Sequence, residues 1–397
     1  MTNIAIYTLT SELHDDKAVH ASTKEFLGSL DIDYILKGND YSDYGNYALN
    51  LIYVRTGGTE GIFKKLLPTL RKKYDLPFYL LTSGKSNSLA ASMEILSYLR
   101  QMNINGEIIH GNPKYITERI DILSKVEEAK RQLKGCRLGV IGRPSDWLIS
   151  SNADYDIIQK RLGIELVDIP MYELLETISD TSEEMPHEKA DRKDIWKALP
   201  GANRIYKALK TIISKYQLQG FTLRCFDLLT TVKNTGCLAL AKLNSEGYVA
   251  GCEGDIPAMI SMKIIRSVTG YSGFQANPSS INPETGEILF AHCTIPLNMV
   301  ERYEFDTHFE SGIGVGIRGF MNEGPVTIFK VSGDLSRTFI AEGTLIRNQS
   351  KPDLCRTQQV IQLSDKKLTD YFLTNPIGNH HIIMSGNYKR LLEEILH

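Results

Sequence analysis

Along the first 130 or so residues, apolar positions fall into short β-rich runs separated by segments of helical period. Residues 4–9, 33–36, 50–54, 78–81 and 107–110 read as strands, and residues 17–30, 61–73 and 87–102 as helices. That alternation predicts a parallel sheet with helices on both faces. A long charged helix over 113–133 leads to a restart at Cys136-Arg137-Leu138-Gly139-Val140-Ile141-Gly142. Strands at 138–141, 165–169, 222–226 and 238–243, with a long polar helix over 190–215, predict a second unit of the same kind. The charged stretch 179–193 reads as an exposed connection. After about residue 298 the texture changes. Short alternating runs at 300–306, 312–320, 326–331, 337–345 and 357–363 predict an antiparallel β-barrel or sandwich, closed by an amphipathic helix over 388–396. The implied domains are residues 1–133, 134–298 and 299–397.

Composition narrows the function classes. The chain has 397 residues, 42% hydrophobic and 23% charged, as expected of a globular protein with more than one core. Lys+Arg 45 against Asp+Glu 47 leaves a net charge of -2, which argues against a nucleic-acid partner. No apolar run reaches the roughly 20 residues of a membrane span, and the N-terminus reads as a strand rather than a signal peptide. A cytoplasmic protein is expected. The six cysteines are scattered, without a CxxC pair, so neither a zinc site nor a disulfide framework is implied.

The stretch Gly247-Tyr248-Val249-Ala250-Gly251-Cys252-Glu253-Gly254-Asp255 carries the most chemistry. It reads as a strand, two carboxylates, and an apolar helix over 256–268. The carboxylates therefore fall at the carboxyl end of a strand, where open α/β sheets bind ligands. Glu253 and Asp255 there can hold a divalent cation or move a proton. Asp255 also suits the N-cap of the following helix, with Pro257 in its first turn; Glu253 has no such structural role. Arg55-Thr56-Gly57-Gly58-Thr59-Glu60 also joins a strand to a helix, so Gly58 and Thr59 either meet an anion or sugar hydroxyl or simply form a turn capped by Thr59. Ser83-Gly84-Lys85-Ser86 fails as a phosphate loop because Tyr79 stands where its first glycine belongs. Gly312-Ile313-Gly314-Val315-Gly316 fails as a dinucleotide fingerprint because no helix follows. His292, His308, His380 and His381 are candidate ligands or structural histidines, and an extended chain sends His380 and His381 to opposite sides. Arg143 and Trp147, in a turn after a strand, are candidates to line a polar pocket. Such carboxylates and histidines are of the kinds that coordinate Mn²⁺ or a similar ion.

These residues resemble the L-fucose isomerase and L-arabinose isomerase group of aldose–ketose isomerases. Gly57-Gly58-Thr59-Glu60 and Asn87-Ser88-Leu89-Ala90 look like that group's first domain, and Glu253-Gly254-Asp255 like its first acidic motif. The resemblance implies two Rossmann-like doubly wound parallel-sheet domains followed by a C-terminal antiparallel β-barrel. It gives Glu253 the role of catalytic, metal-binding glutamate. The segment Glu287–Pro296, which contains His292, and the Gly378-Asn379-His380 segment resemble those carrying histidine ligands, with His381 a further candidate to face the site. The group has a second acidic residue where this chain has Asn277, an amide that can bind a metal but cannot act as a base. Asp255 or Asp227 are candidates to replace it.

The expectation is a Mn²⁺-dependent isomerase of a pentose or 6-deoxyhexose working through an ene-diol. Its metal would be held by Glu253, His380, His292 and Asn277. Its sugar contacts would be Arg143, Trp147, Gly58, Thr59 and His381, and the resemblance implies a homo-oligomer. The alternative is a non-catalytic carbohydrate-binding or regulatory relative that has lost the second carboxylate.

Overall fold

The computed structural model describes residues 3–12, 14, 16–71, 77–184 and 190–396. The centre of the connection over 179–193 and the end of the helix over 61–73 lie outside the described residues. The chain divides into two compact units, one up to Arg131 and one from Gln132 on.

In the first unit, strands β1 (Ile4–Leu9), β2 (Ile35–Gly38), β3 (Leu49–Val54), β4 (Phe78–Leu81) and β5 (Gly106–Ile109) form a parallel sheet in the order β2-β1-β3-β4-β5. Helices α1 (Asp16–Gly28), α2 (Glu60–Arg71), α3 (Ser88–Gln101) and α4 (Pro113–Leu133) connect them. Successive side chains of a strand point to opposite faces, so β1 and β3 feed two cores. Tyr7, Ile52 and Val54 pack with Phe63 and Leu67 of α2 and Ile95 of α3. Ile6, Leu51 and Tyr53 pack with Leu27 of α1 and Ile116 and Ile120 of α4. Coverage of both faces explains why β3 is buried throughout and reads as a continuous apolar run.

The second unit begins with another parallel sheet, order β7-β6-β8-β9, from β6 (Arg137–Ile141), β7 (Glu165–Ile169), β8 (Gly220–Leu223) and β9 (Val249–Cys252). Its helices are α5 (Tyr155–Leu162), α6 (Met171–Asp180), α7 (Lys193–Tyr216), α8 (Asp227–Thr231), α9 (Cys237–Ser245) and α10 (Ile256–Thr269). The segment 238–243, expected as a strand, lies within α9. Leu238, Ala239, Leu240, Ala241 and Leu243 are all fully buried. A helix enclosed over most of its surface, with only Lys242 and Ser245 partly exposed, has little polar face, so its sequence barely shows the period that marks a helix.

Six antiparallel strands then close into a barrel in the order β10-β11-β16-β15-β14-β17. They are β10 (Phe274–Asn282), β11 (Glu287–His292), β14 (Gly324–Val331), β15 (Thr338–Gln349), β16 (Thr357–Leu363) and β17 (His381–Ser385), while β12 (Arg302–Asp306) and β13 (Gly316–Phe320) pair as a separate hairpin. Short helices α11 (Thr369–Thr374) and α12 (Lys389–Leu396) complete the unit. The barrel starts at β10, earlier than the change of texture near residue 298, because β10 and β11 follow α10 after short connections and pair with the later strands β17 and β16. Phe274, Ile288, Phe290, Ile328, Ala341, Ile361 and Ile383 fill its core. Burying each large side chain of this kind contributes about 1.5–3 kcal/mol. No helix among the described residues is long and apolar enough to cross a membrane.

Candidate functional site

Strand β9 ends at Cys252, and the next residue takes a rare conformation. Glu253 has φ of 61°, in the left-handed region that non-glycine residues seldom enter. Such strain costs about 1–3 kcal/mol and survives only where neighbours fix it. Here they do. The Gln275 side chain clamps Cys252, accepting from its amide at 2.9 Å and donating to its carbonyl at 3.2 Å. The Glu253 carbonyl accepts from the Ser145 amide at 2.9 Å, and the Gly254 amide donates to the Leu223 carbonyl at 2.9 Å. Gly254 is obligatory: its φ is 73°, and a Cβ would sit 2.4 Å from the Arg143 carbonyl oxygen. Asp255 then caps α10, accepting from the Ala258 amide at 2.7 Å.

The pinned turn aims Glu253 at two barrel histidines. Its Oε1 lies 3.6 Å from Nε2 of His292, the last residue of β11, and 3.5 Å from Nε2 of His380, just ahead of β17. Its Oε2 accepts from the Trp147 indole at 2.7 Å. One carboxylate oxygen and one nitrogen from each histidine lie within 4.8 Å of one another, and no other such group occurs among the described residues. His380 Nδ1 donates to Asp255 Oδ2 at 2.9 Å, whereas its buried Nε2 has no hydrogen-bond partner. His292 Nδ1 meets the Thr294 hydroxyl at 3.0 Å. Oxygen and imidazole donors so placed could hold a metal ion.

Electrostatics follow from burial and proximity. Burial alone would raise the Glu253 carboxyl, but His380 and His292 outweigh it and hold it below the usual range. Burial would likewise push His380 down; the Glu253 and Asp255 carboxylates reverse this and raise it to about 9. His292 is lowered, chiefly by burial. Burial also opposes ionisation of Asp255, yet Lys330 and His380 bring it down to about 2. Lys330 Nζ stands 3.3 Å from each Asp255 oxygen, with side-chain exposures of 1% and 0%.

Glu253, His292 and His380 therefore converge, with Trp147 attached to them. Other sequence candidates take different places. Asp255 is committed to the helix cap and to Lys330 and His380, so it has no free oxygen to serve as a second base. Asp227 pairs with Arg224 at 3.1 Å. Arg143 is exposed and touches Asp146 at 3.4 Å rather than Glu253. The Asn277 side-chain oxygen, Oδ1, accepts from the Asn379 side-chain amide at 2.9 Å, which ties it to the segment before His380. His381 turns away from the group, as strand alternation requires. Its Nε2 meets the Tyr371 hydroxyl at 2.9 Å among Phe339, Phe372 and Tyr371. His308 packs edge-on against Phe226, which packs likewise against Trp147. Gly58 and Thr59 lie in the first unit, where Thr59 is fully buried and its hydroxyl donates to the Thr56 carbonyl at 3.1 Å. Sequence reasoning missed Gln275 and Lys330. The available signal for Lys330 was a single charge within the apolar strand β14.

The chain is similar to curated sulfoquinovose isomerases. It is 23% identical to that of Alkalicoccus urumqiensis over 261 residues, 25% to that of Priestia aryabhattai over 264, and 24% to that of Clostridium sp. (strain MSTE9) over 273. Each match covers 62% of this chain and 59% of the relative, so it spans about three fifths of those proteins. These relatives are sugar isomerases, but not ones named for L-fucose or L-arabinose. No family model matches the chain.

Proposed function

We propose that this protein is a metal-dependent aldose–ketose isomerase of a small sugar, with sulfoquinovose or a pentose or 6-deoxyhexose as substrate. The observation that carries the reading is the buried Glu253–His292–His380 group, in which His380 Nε2 makes no hydrogen bond. The names of the similar proteins support the reaction class.

Glu253, His292 and His380 would hold the cation, most simply Mn²⁺, which would supply a Lewis acid toward the sugar's oxygens. Isomerisation of an aldose removes a proton from C2 and returns one to C1 through an ene-diol. Glu253 moves that proton. Its Oε1 faces the histidines, and its Oε2, oriented by Trp147, is the oxygen left to exchange it. Trp147 and Phe226, with ring centroids 4.7 Å apart, offer the sugar an aromatic wall.

One observation favours a second reading, a carbohydrate-binding relative without turnover. Asn277 replaces the expected acidic residue, and Asp255 and Asp227 are both held in ion pairs. Aldose–ketose interconversion over a sugar panel, with Mn²⁺ and with chelator, separates the two. Cation-dependent turnover supports the enzyme. Tight sugar binding without turnover in Mn²⁺ sinks it and leaves the binding protein.

A further inference from the structure

We infer that Lys330 is a positioning residue for the metal centre, acting through Asp255 on His380; this rests on the metal-dependent reading above. Lys330 lies in β14, whose last six residues are all buried. A buried ammonium costs several kcal/mol unless it is paired, so a lysine there needs a reason. Helix capping does not supply one. The Ala258 amide and the N-terminus of α10 already stabilise the Asp255 charge.

Lys330 instead controls orientation. Its Nζ bridges both Asp255 oxygens at 3.3 Å, and those oxygens have separate duties: Oδ1 takes the Ala258 amide and Oδ2 takes His380 Nδ1. The bridge fixes the carboxylate plane, and with it the line along which Oδ2 receives the imidazole proton. A carboxylate on the outer nitrogen sets the tautomer and ring angle of a metal-ligating histidine. His380 Nε2 is thereby turned toward Glu253, 3.5 Å from its Oε1. The lysine is itself fixed, because the Val331 amide donates to the Ser261 hydroxyl of α10 at 3.0 Å. Three elements that meet only in the folded unit (β14, the α10 N-terminus and the approach to β17) thus act on one ligand atom.

The test is Co²⁺ binding to the full chain, followed by calorimetry and the visible ligand-field spectrum, with thermal unfolding recorded for each variant. Lys330→Met is expected to weaken Co²⁺ binding about 10- to 100-fold and to alter the spectrum. Lys330→Gln serves if the methionine variant fails to fold, and is expected to behave alike. Lys330→Arg, which keeps the charge, should recover most of the affinity. Lys330→Met combined with Asp255→Asn should be little worse than the poorer single variant, since the two residues act as one unit. A neutral variant with wild-type affinity and spectrum overturns the inference, as does an equal loss in Lys330→Arg. A wild-type chain that binds no Co²⁺ overturns the metal-dependent reading itself.

Discussion

Two turns in this molecule have the same local construction and different contents. Both β3–α2 and β9–α10 leave the carboxyl end of a parallel strand, pass through a left-handed glycine and open a helix. In the first, the turn's amides and hydroxyls bond only neutral partners within the first unit. The Gly57 amide donates to the Ser86 carbonyl at 2.7 Å, the Thr56 hydroxyl accepts from the Ser11 amide at 3.0 Å, and the Thr59 hydroxyl bonds back to Thr56. In the second, Glu253 itself takes the left-handed conformation, and its turn meets side chains far along the sequence. His380 lies 125 residues from Asp255, and Lys330 lies 75. Location at the end of a strand is thus a shared property, and chemistry is not. The second turn becomes a candidate site because the barrel of the same unit brings imidazoles and an ammonium to it.

Removing the group that distinguishes the second turn should have the largest effect. Glu253→Gln keeps the side-chain volume and loses the charge. It is expected to slow aldose–ketose interconversion on the order of 10³-fold, the range of a lost general acid–base, with circular dichroism unchanged. Full activity in this variant would break the contrast between the turns. Next comes the pair of adjacent histidines. His380→Ala should cost at least about 100-fold in Mn²⁺ affinity, since it removes a ligand outright. His381→Leu should leave that affinity within a small factor. Calorimetric titration of both variants checks the pair, and equal losses would mean that strand alternation does not separate their roles.

The third effect is on stability. Burial, then Lys330, lowers His381 to about 3, against an ordinary value near 6.5. Between those values the unfolded chain holds a proton that the folded chain does not. Stability from this group is therefore complete above pH 6.5 and is lost as pH falls toward 3, at about 1.4 kcal/mol per pH unit. From pH 6.5 to 5 that amounts to about 2 kcal/mol. His308, lowered to about 4, acts in the same direction. The raised His380 acts oppositely, contributing stability below pH 6.5 that is lost as pH rises through about 9. Urea unfolding of wild type and His381→Leu at several pH values isolates the first contribution: the variant should show the shallower loss below pH 6.5.

The same contrast governs what was legible in the sequence. Strands such as β4 and β16, and the carboxylates after β9, follow from local pattern, because period and punctuation are local properties. The α9 helix escaped because its enclosure leaves little of the polar face that reveals a helix. Convergence of Glu253 with His292 and His380 depends on closure of a barrel. No spacing in the sequence encodes that, and only the family resemblance pointed to it. Lys330 was hidden for a related reason. Both faces of β14 are buried, so alternation could not show which way its one charge pointed.

The smallest expected effect lies in the first turn, and it tests whether that turn is structural. Thr59 is fully buried, and its hydroxyl is spent on the Thr56 carbonyl. Thr59→Ala should therefore cost about 1 kcal/mol, the usual worth of one buried hydrogen bond, read as a lower urea midpoint at unchanged slope. KM and kcat for any sugar turned over should stay within about two-fold, since on this argument no substrate group reaches that hydroxyl. A raised KM with unchanged kcat would show binding energy at the first turn. Satisfaction of a turn's polar groups by neutral partners would then no longer distinguish a structural turn from a functional one.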